Sequence, residues 1–164
     1  MKSLFMAFAM LVSTVTFAGE LVVSPSLKVT YTEPKLISHS SETLILKYED
    51  WYFSHSLINP QTMYSSIDLS GLELEFVKSI FSPQLRETQP AWLAALSAEQ
   101  AETFGLPTNK AIEKTLGTAT IYAVYSADEN MGHIFVIEEG QAHQLTMLGN
   151  KERFSELMSA IKER

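Results

Sequence analysis

The chain has 164 residues, 46% of them hydrophobic, with 12 basic and 19 acidic side chains, a net charge of −7 and no cysteine. Without thiols there is no disulfide scaffold, no cysteine zinc or iron–sulfur site and no cysteine nucleophile. The acidic balance argues against a nucleic-acid binder, which needs a basic face, and the apolar content is too high for a disordered tail.

Residues 1–18 have the three-part pattern of an export signal. Lys2 gives a positive start, Leu4 to Val12 is apolar, and Thr16 and Ala18 are the small residues a signal peptidase accepts before Gly19. The run is shorter than the ~20 residues a spanning helix needs. A lipid anchor would need a cysteine at the cut. The style is bacterial, so periplasm or secretion is expected, without stable membrane insertion after cleavage. Cleavage leaves residues 19–164 as a single domain of 146 residues and removes Lys2, so the net charge deepens to −8. A chain of that length can bury one ordinary core.

The mature chain begins with two β-rich runs. Leu21 to Thr32 is broken at Pro25, and Thr43 to Leu57 alternates around Leu44, Leu46 and Tyr48. Asn59-Pro60 ends the second run as a turn. The middle reads as helical. Ser70 is the expected N-cap of a helix over Gly71 to Phe81, with Leu72, Phe76, Val77 and Ile80 on one stripe and Pro83 as its stop. Pro90 opens a second helix running to about Phe104, followed by Gly105 and Pro107. Thr108 caps a short third helix carrying Ile112 and Leu116 and ending at Gly117.

The last third reads as a three-strand meander: Thr118 to Tyr125, His133 to Ile137 and Gln141 to Met147. Gly149-Asn150 then opens a helix with Phe154, Leu157, Met158 and Ile161 on one face. A short helix is unstable alone, so that face should cover the sheet. The fold class is α+β: an antiparallel sheet packed by a C-terminal amphipathic helix, with a helical segment in mid-chain.

Candidate chemistry centres on the histidines. His133 and His143 fall on successive strands, and the turn decides whether they meet. A two-residue turn at Glu139-Gly140 pairs Val136 with His143 and separates the rings. A three-residue turn pairs Phe135 with His143 and puts both rings on one face; the position of Gly140 favours this second arrangement. Even so, the face is apolar and lacks a carboxylate, so no metal is expected. Asp128, Asn130 and Glu139 mimic calcium-loop spacing, but His133 stands where that loop needs glycine. Glu49-Asp50-Trp51-Tyr52-Phe53 with His55 is the densest polar–aromatic stretch, and Tyr64 could add a wall. Adjacent strand carboxylates point to opposite faces, which argues against a catalytic pair there.

The candidate ligand residues are therefore Trp51, Tyr52, His55, Tyr64, His133 and His143. No catalytic motif and no cofactor motif is present. The expectation is an exported, non-catalytic module that binds a basic protein partner or a small ligand. A small hydrolase with a cleft near Glu49 to His55 is the rival.

Overall fold

The computed structural model describes residues 18–59 and 67–164. The expected export signal, apart from Ala18, and Tyr64 lie outside the described residues. Within them the protein is α+β, with four helices and two antiparallel sheets. The strands are β1 (Ala18–Val22), β2 (Leu27–Thr32), β3 (Leu36–His39), β4 (Thr43–Lys47) and β5 (Tyr52–Ile58). Then come β6 (Ile112–Leu116), β7 (Ala119–Ser126), β8 (Met131–Glu138), β9 (Gln141–Leu148) and β10 (Ile161–Glu163). The helices are α1 (Glu73–Phe81), α2 (Pro83–Glu87), α3 (Ala91–Thr103) and α4 (Lys151–Ala160).

The larger sheet has the order β3-β4-β5-β9-β8-β7-β6. The smaller has the order β1-β2-β10. Two cores lie on the two faces of the larger sheet. On one, Val23 of the β1–β2 turn, Leu27 and Val29 of β2 and Phe154 and Leu157 of α4 meet Leu46, Phe53, Ile121, Ile134, Leu145 and Met147. On the other, Phe76, Val77 and Ile80 of α1 and Leu93 of α3 meet Tyr122, Val124, Phe135 and Ile137. This sandwiching explains why β8 is buried along nearly its whole length: a strand covered on both faces is apolar in continuous runs rather than alternately. The C-terminal meander and the helix that covers it are as expected. Asn150 caps α4 by accepting from the Arg153 N–H at 3.0 Å.

Four expectations need correction. The segment expected as a third helix is β6, an edge strand paired with β7. Ile112 and Leu116 suit helical spacing, but Gly117 at φ +58° turns a hairpin instead of capping a helix. Ser70 does not cap α1, which begins at Glu73 with Leu72 at the cap position and no side-chain cap bond; Pro83 ends α1 as expected and also opens α2, with Ser82 Oγ accepting from the Leu85 N–H. The last helix stops at Ala160, and Ile161–Glu163 extends to pair with β2. Finally, the β8–β9 turn has two residues, with Glu138 opposite Gln141 and Val136 opposite His143. Both Glu139 (φ +48°) and Gly140 (φ +79°) are left-handed, so the turn matches the right-handed twist of its strands.

Candidate functional site

The corrected register splits the histidines. His143 shares a face with Val136 and Leu145, while His133 lies on the other face beside Phe135 and Gln144. His143 instead meets His55. β5 and β9 pair Leu57 with His143 and His55 with Leu145, so the two rings are diagonal neighbours on one face. They stack with centroids 5.5 Å apart and planes 13° from parallel. His55 Nε2 and His143 Nδ1 face each other at 3.3 Å.

Glu138 joins this pair. It lies on the same face of β8, diagonal to His143. Its carboxylate accepts from Ser24 Oγ at 2.5 Å, from the Ser26 N–H at 3.0 Å and from the Thr118 hydroxyl. Burial by itself would raise the Glu138 carboxyl, but these hydrogen bonds outweigh it and hold it at about 2. His55 is lowered to about 4, first by burial and then by His143. Burial also lowers His143, against the opposing pull of Glu138. Both rings are therefore neutral at pH 7. The cluster pins the turn between β1 and β2 onto one end of the larger sheet. Arg164 adds to it, its backbone N–H donating to the Ser26 carbonyl and its guanidinium to the Pro25 carbonyl.

His133 packs against Phe104, with ring centroids 4.7 Å apart, and burial lowers it to about 4. Trp51 stacks on Tyr48 at 4.4 Å and on Phe53 at 5.8 Å, with the Arg153 guanidinium over its ring. Tyr48 donates to the Thr32 carbonyl, tying this stack to β2. Tyr52 points to the opposite face from Phe53 and is half-buried. Glu49 and Asp50 sit in the β4–β5 turn and do not converge. Glu49 pairs with Lys35, and Asp50 lies 3.9 Å from Arg153.

Sequence reasoning passed over a different feature. Two adjoining cavities, of about 580 and 290 Å³, share Asn109, Lys110 and Ala111 at the entry to β6. The larger is walled by Ile112, Tyr125 and Phe154, with Lys110, Lys151 and Glu113 at its rim. Neither lysine has an ion pair among the described residues. No local signal marks this groove, because its walls come from three segments brought together only by folding. No set of three or more histidine or carboxylate side chains is placed to hold a metal ion among the described residues. The chain matches no protein-family model and no curated protein sequence.

Proposed function

We propose that this chain is an exported module that works by binding, and that the groove at Asn109 to Ala111 takes a small ligand with an apolar body and an anionic group. The observation that carries this reading is the convergence of Lys110 and Lys151, both without ion pairs, on an apolar-walled groove in a chain of net charge −7. A volume of about 580 Å³ falls within the ~300–1,000 Å³ of ordinary ligand sites. The groups first singled out for chemistry are engaged elsewhere. His55 and His143 hold each other, and His133 packs on Phe104.

Expression of the full chain in a bacterial host tests export: the recovered protein should begin at Gly19 by mass spectrometry. The mature protein is then screened against aromatic and aliphatic carboxylates and phosphates by amide chemical-shift mapping. Shifts should cluster at Asn109 to Glu113 and Tyr125, and the double variant Lys110→Glu, Lys151→Glu should weaken binding by at least about tenfold. Shifts clustering elsewhere, or binding unaffected by the double variant, would refute the groove. Hydrolysis of a test ester or glycoside that disappears in His55→Ala would favour the hydrolase reading instead.

A further inference from the structure

The two adjoining cavities lie on opposite faces of the larger sheet. The one of about 580 Å³ is walled by Tyr125 and Phe154, which belong to the core under α4. The one of about 290 Å³ is walled by Ile80, Phe81 and Leu106, which belong to the core under α1 and α3. They meet at Asn109 to Ala111, the residues that lead into β6. The cavities thus flank the start of an edge strand, one on each face.

That edge is open. β6 ends the strand order, and no other element pairs with its outer side among the described residues. Ile112 to Thr115 are all exposed. The β6–β7 hairpin closes on Leu116 opposite Ala119 through the two-residue turn Gly117-Thr118. The pair that closes such a turn is hydrogen-bonded, and bonded and unbonded pairs alternate along an antiparallel ladder. Ile112, Lys114 and Leu116 therefore bond to β7. Glu113 and Thr115 turn their N–H and C=O groups away from the sheet, ready to pair with another strand.

Charge decides what kind of strand fits. Lys110, Lys114 and Lys151 have no ion pair among the described residues. Arg86 lines the smaller cavity, anchored by donating to the Ser79 and Ile80 carbonyls at 3.1 and 2.7 Å, with no carboxylate against it. Glu102 and Glu113 are the carboxylates that line the two cavities, so cations prevail at this edge of an acidic chain. A second copy pairing through its own β6 would set these cations against their like. The opposite edge, β3, offers no such charge, because the neighbouring Lys35 pairs with Glu49.

We propose that β6 takes up an extended acidic peptide segment as an eighth strand of the larger sheet. This rests on the reading of the groove as a ligand site and gives that ligand a class. Main-chain bonds to Glu113 and Thr115 hold the segment, and successive side chains alternate between the two faces. A carboxylate on one face meets Lys110 and Lys151 in the larger cavity. The next side chain, an apolar one, enters the smaller cavity against Phe81 and Leu106.

The mature chain is titrated with short capped peptides in which one glutamate is flanked by leucine or phenylalanine, and binding is followed by amide shifts and hydrogen exchange. The Glu113 and Thr115 amides should gain protection of about tenfold or more, which a small carboxylate in the larger cavity does not produce. Replacing the glutamate by lysine should abolish binding. Backbone N-methylation, moved along the peptide one residue at a time, should weaken binding by about tenfold at every second position only. Thr115→Pro removes one outward donor while keeping the bonds to β7, and should weaken the peptides about tenfold with small carboxylates unaffected. If Thr115→Pro does not fold, the methylated peptides decide. Peptides that bind without protecting Glu113 and Thr115, or that tolerate methylation equally at every position, would overturn the strand pairing. Small carboxylates that bind the groove where no peptide does would also overturn it, while leaving the ligand site standing. With neither bound, the site itself falls and the inference with it.

Discussion

Gly132 sits where a side chain has no free room. A Cβ built there would stand 2.4 Å from the Phe154 ring, so α4 packs directly on the β8 backbone. Phe154 also lies against Tyr125 at 5.4 Å, which leaves it little room to retreat. Gly132→Ala should therefore destabilise the fold by about 1–3 kcal/mol through overpacking, despite the better strand propensity of alanine. Urea unfolding would show this as a lower midpoint at unchanged slope. An unchanged midpoint would mean that α4 shifts freely over the sheet. At the same scale, Glu138 shows how environment decides chemistry. The pair Glu138-Glu139 looks like ordinary turn polarity, yet only Glu139 serves the turn. Glu138 is buried, with just 3% of its surface exposed, and holds a segment over 100 residues away in sequence.

At the scale of elements, the β8–β9 hairpin fixes which histidines meet. Its turn places both central residues in the left-handed region, which glycine and asparagine tolerate best. Glu139→Asn should stabilise the protein by about 0.5–1 kcal/mol, read as a rise in thermal midpoint. A fall would show that the Glu139 side chain contributes something its exposed position does not suggest. The same turn marks the limit of legibility in the sequence. Helix stripes such as Phe76, Val77 and Ile80, the start of α3 at Pro90, the cap Asn150 and the meander strands follow from local periodicity and are where they are expected. The segment Ile112 to Leu116 fits helical and strand periodicity alike, and its partner β7 decides between them. β3 has only four residues, all exposed, so no alternation announced it. Of the histidine cluster, His55 and His143 were singled out separately. Their meeting depends on a β5–β9 pairing between residues 88 apart in sequence, which no local pattern encodes.

At the scale of the whole molecule, the buried titratable groups set a window of pH stability. His55 and His133 titrate at about 4 in the folded protein, and His143 below its ordinary value, against 6.5 for an unperturbed ring. Above pH 6.5 these rings are neutral in both states and stability does not depend on them. Between pH 6.5 and about 4 the unfolded chain takes up protons that the folded one refuses, so stability falls as pH drops and levels off below 4. Each pH unit costs about 1.4 kcal/mol per histidine at most, less for His55, which is partly exposed. Glu138 has the opposite sign of shift and a lower window. Its folded value of about 2 against an unperturbed 4.5 contributes stability above pH 4.5 that is lost as pH falls towards 2. On the alkaline side, burial raises Tyr48 and Tyr122 above 10, so stability declines again as the unfolded chain ionises above that pH. Denaturant midpoints should therefore be flat from about pH 6.5 to 10 and fall in two stages in acid, the histidine stage first. His133→Gln should reduce the slope of the first stage while leaving the second intact. A flat profile down to pH 4.5 would mean that the three rings take up protons without leaving their packed positions. It would also separate the Glu138 stage cleanly, because that carboxylate alone would then carry the acid sensitivity.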